Sequence, residues 1–271
     1  MFSVHYPCNN YDQILDVLST TKTNSEKTSS LPLADFWHPD RNMIIKENLF
    51  LKIVGDRNPQ ADYCFEYATP AFKNRKAGKT IQYSKSSMTD LMIFLGKECR
   101  ITIEAKYTEF VKEAKYTPLL NEWLVDGKSH RKEIAQCWID YIKDSGCCDI
   151  KKLEELLENS PELPYQFLHR TASACFQCQF PILVYQLFYD EADKGKMIDF
   201  EKLLNKCAKD LKLKQDRLPF YIVENKIKKI KKIQQHRKGD TSGIFIEMKL
   251  APKYIFENTI TILNGYTLEE V

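Results

Sequence analysis

The chain has 271 residues, of which 43% are hydrophobic and 28% are charged, and its formal net charge at pH 7 is only +3. These values exclude a disordered tail and a histone-like polycation, so any nucleic-acid footprint must be a local patch. The N-terminus has no basic segment followed by an apolar run, and no stretch approaches the roughly 20 apolar residues that span a bilayer. We therefore expect a cytoplasmic protein with no membrane partner.

The nine cysteines are scattered along the chain without a repeating spacing, which is typical of reduced core thiols. Cys175 and Cys178 have the spacing of metal ligands, but no second pair accompanies them. Packing is the favoured interpretation for this pair, and a zinc site is the alternative.

The N-terminal part of the chain predicts helices separated by a polar connector. Residues 10–19 have the pattern of a short amphipathic helix, and the Ser/Thr/Lys-rich residues 20–32 have the composition of a flexible connector. A second helix is predicted within 40–54, and residues 60–73 fit either a helix or a strand. We divide the chain into an N-terminal helix with its connector, residues 1–39, and a larger domain, residues 40–271.

A β-hairpin is predicted next, because two β-rich runs, residues 90–95 and 100–107, flank a short turn that contains Gly96. Further helices are predicted at 129–144, 149–158, 164–178 and 197–211, and further strands at 180–189, 218–223 and 243–250. This interleaving predicts an α/β fold with a central mixed β-sheet flanked by helices and an N-terminal helical elaboration.

The hairpin carries the candidate chemistry. If its turn is centred near Lys97, antiparallel pairing places Asp90 opposite Glu104, and two opposed carboxylates require a compensating cation. Lys106 projects to the same face as Glu104, because side chains alternate across a strand. The cluster predicts a site for Mg²⁺ or Mn²⁺ with Asp90 and Glu104 as ligands, where Lys106 orients a water or stabilises phosphate charge.

The run TDLMIFLGKECRITIEAKYTE, read as Asp-x13-Glu-x-Lys, resembles the PD-(D/E)XK (restriction-endonuclease-like) nuclease superfamily. The resemblance covers a signature of Asp90, Glu104 and Lys106, and Thr89 stands where the motif name has Pro. It implies a restriction-endonuclease-like core and hydrolysis of phosphodiester bonds in DNA, less so in RNA, in restriction, defence or repair.

The resemblance also extends to a helix after the Glu-x-Lys strand. Gln166, His169 and Arg170 share one helix face. By the resemblance, Arg170 would contact a phosphate and Gln166 would support Glu104 or Lys106; otherwise this is a solvated face and His169 is ordinary.

An additional acidic residue is expected on an element before the Asp90 strand. Glu66 is the favoured candidate, by similarity of FEYATPAF to uncharacterised bacterial members of the superfamily, and Glu47 is the alternative.

Two structural alternatives compete with this interpretation. Asp90 would merely cap a strand, with Glu104 and Lys106 as a surface ion pair; the apolar residues around them favour a central strand instead. A second Glu-x-Lys, Glu247 to Lys249, follows Asp240 too closely for two strands and a turn, so we interpret it as part of an outer strand.

The basic segment 225–238 is the candidate nucleic-acid contact. Its isoleucines recur every third residue, which predicts a helix with an apolar stripe and a cationic face. Contacts to a nucleic-acid backbone would come from four lysines, and a plain solvated face is the alternative. These lysines are Lys228, Lys229, Lys231 and Lys232.

The expected function is thus a metal-dependent nuclease acting on nucleic acid, most readily DNA. The alternatives are a catalytically inactive nucleic-acid-binding module with the same fold, and a protein-interaction domain. A homodimer is one expectation, since enzymes that cut both strands often pair two sites.

Overall fold

The computed structural model describes residues 7–19, 28–73, 81–82, 87–110, 118–125, 130–149, 151, 153–155, 163–230, 247–249, 251–257 and 261–264. The helices are α1 (Tyr11–Ser19), α2 (Ser30–Phe36), α3 (Met43–Val54), α4 (Leu120–Val125), α5 (Arg131–Ser145), α6 (Tyr165–Cys175) and α7 (Lys194–Asp210). The strands are β1 (Asp62–Thr69), β2 (Phe72–Lys73), β3 (Ile81–Gln82), β4 (Ser87–Leu95), β5 (Cys99–Lys106), β6 (Phe180–Tyr189), β7 (Phe220–Lys229), β8 (Tyr254–Phe256) and β9 (Thr261–Asn264).

A seven-stranded mixed sheet is the centre of the fold, with the order β1-β4-β5-β6-β7-β8 and with β9 also paired to β7. The strands β1, β4 and β5 run antiparallel, β5, β6 and β7 run parallel, and β8 and β9 pair antiparallel with β7. Helices cover both faces of this sheet, which confirms the predicted α/β fold class.

The two faces of the sheet bury two separate groups of apolar side chains, because residues alternate along each strand. Along β6, Leu183, Tyr185 and Leu187 pack with residues of α5, α6 and α7. Ile182, Val184 and Phe188 pack on the other face with residues of α1, α2 and α3. The N-terminal helices therefore share a core with the sheet.

Helix α2 begins inside the segment for which a connector was predicted, and residues 20–27 of that segment lie outside the described residues. The helix forms because its leucines Leu31 and Leu33 and the aromatic Phe36 are fully buried against the sheet. Burying these side chains stabilises the helix by about 0.8 kcal/mol per methylene, and this gain outweighs the polar character of the preceding sequence. The division of the chain at residue 39 stays a prediction.

The β4–β5 hairpin has the predicted register: Leu91 lies opposite Ile103, and Ile93 lies opposite Ile101. Gly96 begins the turn with a φ of 71°, a left-handed conformation that costs glycine nothing. The pairing of β4 with β5 starts at Leu91, whereas β5 continues beside β6 as far as Lys106. The sheet thus opens between β4 and β5 next to Asp90.

The helix predicted for 225–238 is wrong where the structure describes it, because residues 225–229 continue strand β7. Asn225 and Ile227 are buried while Lys228 is exposed, and Ile230 is 41% exposed. The isoleucines therefore do not form one stripe, and pairing with β8 satisfies the backbone of this segment.

The outer strand predicted for 243–250 is wrong at residues 247–249, which are helical. The amide of Ala251 donates a hydrogen bond of 3.2 Å to the carbonyl of Glu247, the spacing of a helical turn. Met248 is fully buried and holds this turn against the core. Among the described residues, no helix has both the length and the apolar character that crossing a membrane requires.

Candidate active site

Three carboxyl side chains occupy equivalent positions on three neighbouring strands. Glu66 lies in β1 between the pairs Phe65–Leu91 and Tyr67–Thr89, so it stands across from Asp90. Asp90 directly precedes the Leu91–Ile103 pair, so it stands across from Glu104 in β5. The sheet therefore aligns Glu66, Asp90 and Glu104 in one row, which we call the acidic row.

Glu104 is the centre of the hydrogen bonds in this row. Its Oε1 accepts hydrogen bonds from Lys106 Nζ, at 2.9 Å, and from Gln166 Nε2. Its Oε2 accepts a hydrogen bond from Arg170 Nε. The carboxylate is only 1% exposed, so these ion pairs are desolvated. The structure thus brings three of the residues singled out in the sequence, Lys106, Gln166 and Arg170, to one buried carboxylate.

Asp90 lies where β4 separates from β5. Its Oδ2 accepts a hydrogen bond of 2.7 Å from the backbone amide of Ala105, and the residue is partly buried. Burial first, and then the negative charge of Glu104, raise the pKa of Asp90 well above its ordinary value. The charges of Arg170 and Lys106 oppose this rise only in part.

Glu66 has an unusual backbone for a residue within a strand, with a φ of 50°. This left-handed conformation costs a residue with a Cβ on the order of 1 kcal/mol, and such strain concentrates at functional sites. Burial raises the pKa of Glu66 to about 7; the charge of Arg170 opposes the rise and that of Glu104 adds to it. The carboxyl of Glu66 thus interacts electrostatically with Glu104 and Arg170, and its backbone is strained.

Lys106 and Arg170 stabilise the ionised form of Glu104 more than that of Asp90 or Glu66. Burial alone would raise the pKa of Glu104, but the charges of Arg170 and Lys106 outweigh it and lower that pKa. Burial would lower the pKa of Lys106, but Glu104 and Asp90 raise it. Glu104 is thus ionised, and within the described part of the chain the three carboxyls of the acidic row share two cations, Lys106 and Arg170.

The donor set of the row fits a hard divalent cation. With respect to the described residues, Asp90 Oδ1 and the second lone pair of Glu104 Oε2 remain as oxygen donors. Mg²⁺ takes one or two carboxylates, with waters and phosphate completing its shell. Gln166 Oε1 is also buried, and none of the described residues donates a hydrogen bond to it. Within the described part of the chain, no group of three or more His, Cys, Asp or Glu is arranged to hold a metal. Two protein carboxylates are therefore the most that this site offers a cation.

Glu47, the alternative to Glu66, lies elsewhere. It is on α3 and lines a pocket together with Trp37, Lys46 and Phe50. Trp37 and Phe50 belong to the core on the face covered by α1, α2 and α3. Glu66 is therefore the upstream acid that the fold places with Asp90 and Glu104.

The basic segment is described only in part, because Lys231 and Lys232 lie outside the described residues. Lys228 and Lys229 are exposed at the end of β7. Lys229 Nζ lies 5.4 Å from the ring centroid of Tyr107, which directly follows Lys106. Lys229 is therefore near the end of β5, but Tyr107 packs in the core on the opposite face of the sheet from Glu104 and Lys106.

The second Glu-x-Lys does not form a comparable pair. Lys249 Nζ lies 3.1 Å from Asp12 Oδ1, and Glu247 Oε2 lies 2.9 Å from Lys253 Nζ. A helical turn directs residues two positions apart to different sides, unlike a strand. This segment lacks the convergence of charges found around Glu104.

Ser87 is a site residue that the sequence did not indicate. Its Oγ lies 2.6 Å from His169 Nδ1 and accepts a hydrogen bond of 2.9 Å from an Arg170 terminal nitrogen. Its position three residues before Asp90 is the only sequence signal, since His169 is 82 residues away. Glu109 was also missed, and its charge contributes to the raised pKa of Lys106.

Comparison with known proteins gives a family but no activity. No curated protein and no solved structure matches the chain significantly. The profile of one family, described as "Domain of unknown function (DUF6946)", matches residues 7–231. That range includes α1, the acidic row, α6 and strands β1 to β7, but not β8 and β9. The chain therefore belongs to the DUF6946 family.

Proposed function

We propose that this protein is a divalent-metal-dependent nuclease of the PD-(D/E)XK class that hydrolyses phosphodiester bonds with Mg²⁺ or Mn²⁺. The observation that carries the proposal is the convergence of Asp90, Glu104 and Lys106 at the point where β4 and β5 separate. The sequence resemblance supports the same class, and Gln166 and Arg170 reach Glu104 from the helix after the Glu-x-Lys strand.

Hydrolysis forms a bond from phosphorus to a water oxygen and breaks the bond from phosphorus to the leaving sugar oxygen, which takes up a proton. A bound divalent cation would supply Lewis-acid stabilisation of the charge that develops on the phosphate. Lys106 is held on Glu104 as a cation, so its ammonium can orient the water or stabilise the same charge. Gln166 Nε2 donates to Glu104 Oε1, so Gln166 can support the carboxylate that would hold the cation.

Nucleic acid, DNA before RNA, is the substrate class that the surface supports. Lys228 and Lys229 are exposed at the end of β7, and as part of this proposal they would contact the phosphate backbone without reading sequence. A cytoplasmic location and action in restriction, defence or repair belong to the same proposal. A homodimer would place two such sites for cutting both strands.

An inactive nucleic-acid-binding module is the second candidate. The observation that favours it is that both oxygens of Glu104 already accept hydrogen bonds from Lys106, Gln166 and Arg170. In that case the cations would serve as permanent counter-ions for a structural carboxylate. Binding without cleavage distinguishes the two candidates.

The test is incubation of supercoiled, linear and single-stranded DNA, and of RNA, with Mg²⁺ or Mn²⁺. Wild type is compared with Lys106→Ala and Asp90→Ala, and Lys249→Ala serves as the matched control from the second Glu-x-Lys. We expect cleavage by wild type and Lys249→Ala and none by the other two. Cleavage unaffected by Lys106→Ala and Asp90→Ala would refute the site, and binding without cleavage of any substrate would favour the inactive module.

A further inference from the structure

Arg170 is held at both ends of its guanidinium. Its Nε donates to Glu104 Oε2, whereas a terminal nitrogen contacts Ser87 Oγ at 2.9 Å and His169 Nδ1 at 3.2 Å. The side chain is 7% exposed, so water does not replace these partners. The orientation of the group beside Glu104 therefore depends on Ser87 and His169.

The contacts determine which nitrogen of His169 carries the proton. A guanidinium has only donors, so His169 Nδ1 must accept from Arg170, and the ring hydrogen is on Nε2. The Ser87 hydroxyl accepts from Arg170 and donates to the same Nδ1 across 2.6 Å. Nδ1 has a single lone pair, so it shares that lone pair between the short contact from Ser87 and the longer contact from Arg170, and this one set of proton positions is compatible with all three contacts.

Ser87 and His169 do not form a nucleophile and its base. Burial first, and then the charges of Arg170 and Lys106, lower the pKa of His169 well below its ordinary value. A histidine that must stay neutral beside two cations is a poor acceptor for a serine proton. The pair is suited to holding Arg170 instead.

The histidine ring is itself fixed by its surroundings. The ring of Tyr165 packs on it with centroids 4.7 Å apart, and Tyr165 in turn stacks on Trp123 at 3.8 Å. The hydroxyl of Ser173 donates a hydrogen bond of 2.9 Å to the carbonyl of His169. The acceptor Nδ1 therefore has a defined position in α6.

We propose that Ser87 and His169 are positioning residues that fix the Arg170 guanidinium, so that its Nε–H stays on Glu104 while substrate phosphate binds. This inference rests on the proposed nuclease function. It explains why an arginine occupies position 170, since a lysine has no second nitrogen to engage Ser87 and His169 while it binds Glu104.

The kinetic test compares two substitutions of one side chain. In His169→Asn the amide oxygen replaces Nδ1 as acceptor, whereas in His169→Gln it is displaced by one methylene. We expect kcat to fall about 10- to 100-fold in His169→Gln and Ser87→Ala, the usual loss when a residue that orients a catalytic group is removed. His169→Asn should restore most of the activity, and KM should change less than kcat.

His130→Gln is the matched control, because His130 is exposed and lies outside the site. All variants are first checked for wild-type thermal unfolding. Equal activity of His169→Asn and His169→Gln, or wild-type activity of Ser87→Ala, would overturn the inference.

A second readout does not require nuclease activity. Nitrogen-15 NMR of the full chain in EDTA should show His169, assigned by loss of its signals in His169→Asn, as the neutral Nε2–H tautomer. The Ser87→Ala variant should shift its Nδ1 signal. An Nδ1–H tautomer or a protonated ring at neutral pH would overturn this inference but not the proposed function. Absence of cleavage by wild type would overturn the proposed function, and the catalytic role of the pair with it.

Discussion

Two aspartates, the buried Asp35 in α2 and the partly buried Asp90 in β4, show how differently one fold can accommodate a carboxylate. Asp35 Oδ2 accepts hydrogen bonds from the backbone amides of Lys253 and Tyr254, at 2.7 and 3.0 Å. Its Oδ1 lies 2.9 Å from a terminal nitrogen of Arg41. Asp90 instead has one backbone donor and a second carboxylate, Glu104, as its neighbour.

The difference separates a structural carboxyl from a candidate functional one. Burial raises the pKa of Asp35 as well, but the donors from Lys253, Tyr254 and Arg41 all oppose the rise. At Asp90 the charges of Glu104 and Glu66 add to the rise, and those of Arg170 and Lys106 oppose it only in part. A charge with complete partners stabilises the fold, whereas carboxyls in excess of their cations mark a place where an additional cation would bind.

The largest expected effect is on stability, at Asp35. Asp35→Ala leaves two buried amides and Arg41 without their acceptor, so the free energy of unfolding should fall by about 3–5 kcal/mol. Chemical denaturation measures this loss. The exposed Asp40→Ala is the control and should change stability by less than about 0.5 kcal/mol. If Asp35→Ala and Asp40→Ala reduced stability equally, Asp35 would not be the structural carboxylate that the comparison requires.

Asp90→Asn should have opposite effects on activity and stability. Loss of a carboxylate from the acidic row should reduce cleavage about 10²- to 10³-fold, the usual consequence of removing one group that stabilises transition-state charge. In EDTA the same change removes repulsion with Glu104 and should increase the unfolding free energy by on the order of 1 kcal/mol. Lower stability in EDTA would show that Asp90 is structural, as Asp35 is.

Glu66 predicts a pH dependence of stability. Its pKa in the folded protein is about 7, above the ordinary 4.5, so the folded state retains a proton that the unfolded chain releases. The free energy of unfolding should therefore fall as pH rises from 4.5 to 7, by on the order of 2 kcal/mol after allowance for partial exposure. Denaturation in EDTA measures the slope, and Glu66→Gln should flatten it. An unchanged slope in Glu66→Gln would place Glu66 outside the coupled row.

The backbone at Glu66 predicts a smaller difference. Glu66→Gly and Glu66→Ala both remove the carboxyl, but only glycine adopts a φ of 50° without strain. We expect the glycine variant to be more stable than the alanine variant by about 1 kcal/mol. Both should lose activity to a similar degree. A less stable glycine variant would show that the strand is not strained there.

The basic residues at the end of β7 predict the smallest effect. Lys228→Ala and Lys229→Ala should each weaken DNA binding and reduce the slope of log affinity against log salt by about 0.9 per lost phosphate contact. Binding at several salt concentrations measures this slope. Lys202→Ala, which removes an exposed lysine of α7, is the control. An unchanged slope in the two variants would mean that the nucleic acid approaches from another side.

The sequence predicted the hairpin and its register because the information there is local. It consists of a turn with a glycine and two apolar strands, and the short turn sets their register. The same locality made Asp90, Glu104 and Lys106 recognisable as neighbours. It also explains the error at 225–229, since isoleucines at every third residue fit both a helix stripe and a strand with one exposed end. Pairing with β8, which is distant in sequence, decided for the strand.

The partners of Asp35 and Ser87 were beyond prediction for the opposite reason. Asp35 binds the backbone amide of Lys253, which is 218 residues away, and a backbone amide leaves no mark in the sequence. Ser87 binds His169 across 82 residues, and a serine in a Ser/Thr-rich run has no distinguishing pattern. Only the folded structure shows that the charge of Asp35 is matched by its hydrogen-bond donors and Arg41, whereas the carboxyls of the acidic row outnumber the cations described beside them.

Titration of the metal-free protein with Mn²⁺, followed by electron paramagnetic resonance, tests the central claim most directly. The acidic row should bind one Mn²⁺ per chain in wild type and in Asp35→Asn, whereas Asp90→Asn should lose that ion. Binding that survives Asp90→Asn unchanged, or a wild-type chain that binds no Mn²⁺, would contradict the account.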